Sequence, residues 1–336
     1  MMKIKLIALT IAASLLAAWA GTPTLAAPTE EPQPSGTILF SSDGLSWDDL
    51  YTVDEQGGNL KRLTTIGRVG AARYSPDGKR IAFDRVETEG YLPGDKQFWV
   101  VEWVETDMPY LNTDIYVMNA DGSAVKNITN SPDFLEWSPH WSPDGTRIVY
   151  SGRRNIDQKS QLYVMDSDGS NRSLLTDVNN TNLEPAWSPD GKQIAFVSYF
   201  AGYGRRRWNQ ADIYVINADG SNLVRLTDAG DHYRGLVWAP SGQELIYGWH
   251  TRVQTSGFSW QVWRMNAGGG NQRCIIGCAG WTSRYSNIPF AWKGNRLLFS
   301  GWDTGNWNIY LANDDGTGMV KLTSEPFDEK ARDWKP

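Results

Sequence analysis

Pro185-Ala-Trp-Ser-Pro-Asp-Gly191 leads into Ile194-Ala-Phe196, and further on come Asp212-Ile-Tyr-Val-Ile-Asn217, Ala218-Asp-Gly220 and Leu226-Thr227. Pro presets one backbone angle and Gly accepts a positive φ at no steric cost, so Ser-Pro-Asp-Gly and Asn-Ala-Asp-Gly each close an antiparallel hairpin. The strands between these turns carry apolar residues on both alternating faces, as in Ile213-Tyr-Val-Ile216. That pattern suits a sheet covered on both sides.

The unit recurs. Tyr74-Ser-Pro-Asp-Gly78 precedes Ile81-Ala-Phe83, Trp141-Ser-Pro-Asp-Gly145 precedes Ile148-Val-Tyr150, and Trp238-Ala-Pro-Ser-Gly242 precedes Leu245-Ile-Tyr247, the two aromatics always standing nine positions apart. A further copy, Trp292 to Phe299, has a turn two residues shorter. Asp54, Asn119, Asp166, Asn217, Asn266 and Asn313 are each followed ten residues later by Thr64, Thr129, Thr176, Thr227, Ile276 and Thr323, so the second hairpin has one fixed length. A repeat of about fifty residues made only of short strands marks a β-propeller, each repeat being one four-stranded blade. The expected fold is all-β: a six-bladed propeller over residues 36–336.

The ends complement one another. A sixth unit begins at Trp334 and the chain ends at Pro336; Lys335 and Pro336 take the Ser and Pro places of the motif, and Phe40 falls where the second aromatic belongs. The C-terminal segment is therefore expected to supply the inner strand of a blade whose other strands come from residues 36–64. Such N-/C-terminal strand exchange removes an exposed sheet edge.

By Pro185-Ala-Trp-Ser-Pro-Asp-Gly191, Ile194-Ala-Phe196 and Asp212-Ile-Tyr214, the chain resembles the propeller repeats of the TolB family over roughly residues 36–336. The resemblance implies a six-bladed propeller in the bacterial envelope. TolB also carries a separate N-terminal domain for which this chain has no room, so TolB's own role does not carry over.

Residues 1–26 read as a secretory signal, with Lys3 and Lys5, an apolar run from Leu6 to Ala20, and small residues at the exit. The alternative is an uncleaved membrane anchor, for which the run is slightly short. Ala27 to Ser35, with Pro28, Pro32 and Pro34, reads as an extended spacer. After cleavage the net charge is about −8, and an acidic surface repels phosphate backbones, so nucleic acid is not an expected partner. No stable membrane insertion is expected once the signal is removed, and the expected state is a monomer. Cys274 and Cys278, separated by Ile-Ile-Gly, could form a disulfide after export if Gly277 turns the chain.

Convergent reactive groups are sparse. No Gly-x-Ser-x-Gly occurs, which excludes a fused serine hydrolase of the kind some related peptidases carry. His140, His232 and His250 show no clustered spacing, so neither a metal site nor any cofactor is expected; His140, beside Trp141, reads as a packing residue. Asp166-Ser-Asp-Gly169 and its equivalents lack the partner carboxylate of a calcium loop and read as turns.

The two ends of the blades differ. One end carries short turns, whereas the loops at the other vary from about eight to about thirty residues and hold Trp47, Tyr91, Phe98, Trp99, Trp103, Tyr199, Tyr203, Trp208, Trp249, Phe258, Trp260, Trp302 and Trp307. Variable loops on a rigid scaffold are where binding surfaces are built, and exposed Trp needs something to cover. Arg153, Arg154, Arg205, Arg206 and Arg207 lie in neighbouring loops of the same rim, suited to carboxylates; solvated loop charges paired with Glu87, Glu89, Glu102 and Glu105 are the alternative. These residues predict an exported, non-enzymatic propeller binding a glycan or envelope protein. The alternative is a polysaccharide lyase or hydrolase with its site at the channel mouth.

Overall fold

The computed structural model describes residues 36–42, 48–87, 112–154, 159–200, 210–253, 257–278, 286–303, 305–324 and 326–336. The chain divides into two units, 1–34 and 35–336. All described residues belong to the second, so the signal and the whole spacer lie outside them.

Strands alone build this unit; no helix occurs among the described residues. The chain runs through β1 (Thr37–Ser42), β2 (Asp49–Asp54) and β3 (Lys61–Arg62), then β4 (Val69–Tyr74), β5 (Arg80–Val86), β6 (Thr113–Asn119) and β7 (Lys126–Asn127). Next come β8 (Leu135–Trp141), β9 (Arg147–Arg153), β10 (Gln161–Asp166) and β11 (Ser173–Leu174), then β12 (Asn180–Trp187), β13 (Gln193–Phe200), β14 (Ala211–Asn217) and β15 (Val224–Arg225). The last are β16 (His232–Trp238), β17 (Glu244–Val253), β18 (Gly257–Asn266) and β19 (Arg273–Ile276), then β20 (Ser286–Lys293), β21 (Arg296–Asp303), β22 (Asn306–Asn313), β23 (Val320–Lys321) and β24 (Glu329–Trp334).

Consecutive strands pair antiparallel in sets of four, and the set begun by β1 is completed by β24, with Ile38 opposite Trp334. The β4 and β8 sets touch through one parallel bridge, Thr113 to Leu135. The strands that lead each sheet are neighbours in turn: β4 lies beside β8, β8 beside β12, β12 beside β16, β16 beside β20, β20 beside β24, and β24 beside β4.

The repeated residues explain how neighbouring sheets hold together. Trp141 donates its indole N–H to the Arg73 carbonyl at 3.2 Å and Trp238 to that of Ala186 at 3.1 Å, each reaching the preceding sheet. A guanidinium covers the ring: Arg80 lies 4.6 Å from Trp141, Arg147 4.9 Å from Trp187 and Arg264 4.8 Å from Trp292. The motif aromatic is thus packed between sheets under a cation.

Each leading strand also carries a register irregularity, for instance between Trp137 and His140 and between Leu183 and Ala186. A bulge leaves a backbone N–H without a ladder partner. Side chains of the neighbouring sheet accept it: Asp84 from Ser138 at 2.8 Å, Glu184 from Gly235 at 2.7 Å, and Ser300 from Ala331 at 2.7 Å.

The threonine spaced ten residues from the turn also has a structural task. Thr64, Thr129, Thr176, Thr227 and Thr323 each accept a backbone N–H from the third strand of their sheet, at 2.8 to 3.0 Å. Thr64 then donates to Asp49 and Thr227 to Asp212. In the β16 sheet Ile276 stands in this place, and there Cys274 and Cys278 are joined by a disulfide, their Cα atoms 5.5 Å apart. Gly277, at φ 79°, turns the chain between them.

Candidate functional site

Antiparallel order puts the first and third turns of each sheet at one end and the longer connections at the other. At the short-turn end a cavity of 310 Å³ opens between the leading strands. Arg73, His140 and Asp333 form one side of its wall, and Leu236, Val237 and Phe290 another. Burial, followed by the nearby Arg73 charge, pushes the His140 imidazole down to about 3, so the ring is neutral. Its Nδ1 lies 3.1 Å from the Trp141 carbonyl, consistent with a packing role. Burial raises the Asp333 carboxyl while Arg73 opposes the rise. Both Asp333 oxygens are engaged, accepting the N–H groups of Tyr74 at 2.7 Å and Trp334 at 2.8 Å. The polar wall is largely satisfied internally.

The loop end differs. In the β16 sheet His232 faces His250 across β16 and β17, and His250 faces Trp260 across β17 and β18, so the three form one row on one face. The His232 and His250 ring centres are 5.3 Å apart, and those of His250 and Trp260 4.9 Å. Tyr199, from the neighbouring sheet, extends the row at 6.4 Å from His232. All four side chains are half-buried. The buried Arg234 lies with its guanidinium carbon 5.5 Å from the Trp260 ring. Sequence reading found Tyr199 and Trp260 but missed the two histidines, whose proximity depends on strand register.

The alternate face of this hairpin packs inward. Trp249 pairs with Tyr233, its ring 6.1 Å from Tyr233 and 4.5 Å from Trp263, and its indole donates to Asp231 at 3.0 Å. That ring is engaged in packing. Trp307 is 8% exposed and Trp302 half-buried opposite it, so Trp307 presents no stacking face. Arg154 is exposed, whereas Arg153 is half-buried with its guanidinium carbon 5.8 Å from the Trp137 ring. Trp47, Trp99, Trp103, Arg205, Arg206, Arg207 and Trp208 lie outside the described residues.

Residues 106–202 match the family model of the TolB β-propeller domain. The structure superposes on the crystal structure of TolB from Acinetobacter baumannii with a TM-score of 0.65 at 18% identity, covering 90% of this chain and 67% of that one. The chain has a TolB-like β-propeller fold. Among sequence relatives it is 33% identical over 207 residues to protein Atu1656 of Agrobacterium fabrum, an alignment covering 55% of this chain and 61% of that protein. It is 31% identical over 110 residues to dipeptidyl-peptidase 5 of Porphyromonas endodontalis, covering 32% of this chain and 15% of the peptidase. This TolB-like chain thus spans less than two thirds of the length of either relative, and the likeness to TolB itself is one of fold.

Proposed function

We propose that this chain is an exported, non-enzymatic binding propeller that holds an envelope protein or glycan on its loop rim. The observation that carries the reading is the Tyr199, His232, His250 and Trp260 row, a half-exposed aromatic surface with Arg234 beside it. Rings with a polar edge and a nearby cation suit stacking on a sugar or docking of a peptide. Arg154, exposed at the same end of the β8 sheet, adds positive charge to an acidic protein.

In this reading the sheets are the six blades of a ring, and β24 beside β1 is the strand exchange that locks it. Support comes from the Ile38 to Trp334 pairing and from the neighbour order that returns from β24 to β4. Residues 1–26 are the cleaved signal and 27–35 the spacer, which fits the envelope setting implied by the TolB-like repeat. A glycan array and an envelope pull-down with the mature chain test the proposal. Stoichiometric capture without turnover supports it; turnover of a uronic-acid oligomer would replace it with the lyase reading.

A further inference from the structure

We propose that His232 and His250 form a two-imidazole chelate for a divalent transition-metal ion of the copper and zinc class. The sequence separates them by eighteen positions, but the β16–β17 register sets them directly opposite, with both side chains on one face. Side chains in such pairs leave Cβ atoms about 4.5 to 5.5 Å apart, close enough for two imidazoles to reach one ion.

The ring spacing agrees with that chemistry. A metal–nitrogen bond of about 2.0 Å sets each imidazole centre about 3.2 Å from the ion, and a tetrahedral angle between the two ligands then separates the centres by about 5.2 Å. The observed separation is 5.3 Å. The planes are inclined at 57° rather than stacked, so the contact is not a face-to-face ring pair. Imidazole is a ligand suited to Cu²⁺ and Zn²⁺, with Cu²⁺ bound more tightly by a given donor set.

Both histidines are half-buried at the rim. Asp231 adjoins His232 in sequence, but its carboxylate accepts the His232 backbone N–H at 2.9 Å and the Trp249 indole N–H at 3.0 Å and belongs to the opposite face, so the two imidazoles are the protein ligands of the proposed site. Two protein ligands leave two positions of a tetrahedral ion for water or for donor atoms of a bound molecule, one more than an open site with three protein ligands. The metal site is independent of the glycan or protein reading, since an ion could be held with no macromolecule present.

The chain contains three histidines, which makes the test clean. Untagged mature protein is titrated with Zn²⁺ alone by calorimetry and with Cu²⁺ alone by spin resonance. One ion per chain is expected, with affinity falling at least tenfold in His232→Gln and in His250→Gln. In the unsubstituted protein, substoichiometric Cu²⁺ should broaden the imidazole NMR signals of His232 and His250 and spare those of His140. No saturable binding, unchanged affinity in both variants, or broadening that misses the pair would overturn the proposal, and the NMR result decides it even if a variant folds poorly.

Discussion

The Asp84 carboxylate accepts the backbone N–H of Ser138 at 2.8 Å across the boundary between two sheets. The same group accepts the N–H of Ala71 at 3.1 Å, so one side chain serves bulges on both β4 and β8. A Cβ built on Gly70 would lie 1.8 Å from Asp84 Oδ1, so the joint needs glycine for space. Asp84→Ala should strand two N–H groups and cost about 1 to 3 kcal/mol for each that remains buried. Gly70→Ala should also destabilise, by pushing the carboxylate away. Urea denaturation measures both; stability like that of the parent in either variant would show the joint to be incidental.

The buried Glu136 and the half-buried His140 give opposite pH dependences. Burial raises the Glu136 carboxyl to about 7 despite Arg172 at 3.5 Å, so the folded chain keeps a proton that the unfolded chain releases near the ordinary 4.5. Its contribution to stability is present below about 4.5 and is lost as pH rises to about 7. His140, held down to about 3, stays neutral in the fold while the unfolded chain takes a proton near 6.5, so its contribution is lost as pH falls through that window. Glu136→Gln should therefore gain stability relative to the parent as pH rises from 4.5 to 7. His140→Gln should gain relative to the parent as pH falls from 6.5 to 4. Denaturant midpoints across this range test both; parallel curves would contradict the assignments.

Five sheets use a threonine to tie the outermost segment to the third strand, and the β16 sheet has Ile276 with the Cys274–Cys278 disulfide instead. Reducing this bond, or replacing both cysteines with serine, should cost about 2 kcal/mol by the loop-closure argument. Hydrogen exchange should quicken around Gly277 before it does elsewhere. Unchanged exchange there would show the disulfide to be decorative.

If β24 locks the ring, Trp334 is its main anchor. It is 5% exposed, donates to Glu55 at 3.1 Å and lies 5.7 Å below the Lys293 ammonium. Trp334→Ala should cost about 3 to 5 kcal/mol. Removing residues 331–336 should cost more and expose the β1 edge to self-association, visible by light scattering.

Much of this fold is local chemistry and was legible as such. Pro-Asp-Gly and Asn-Ala-Asp-Gly turns set the hairpins, and the count of ten from each turn to Thr64 and its equivalents marked a fixed geometry, though not the hydrogen bond it serves. The candidate surface was less accessible, because every leading strand is irregular. Counting outward from Trp238 opposite Leu245, His232 would face Thr251; the bulge between Arg234 and Val237 shifts the register by one, and His232 faces His250. The same register fixes which of Trp249 and His250 turns into the core. A bulge made by Gly235 at φ 62° leaves no periodic signature in the sequence.

The most direct test of the binding account compares the parent with Trp260→Ala and Arg154→Ala against a ligand captured from the array or pull-down. Trp260→Ala should weaken binding by about 1 to 3 kcal/mol, and Arg154→Ala should chiefly reduce the salt-sensitive part of the affinity, both at an unchanged melting temperature. Parent-like binding in both variants, or steady conversion of the ligand to product, would contradict the account.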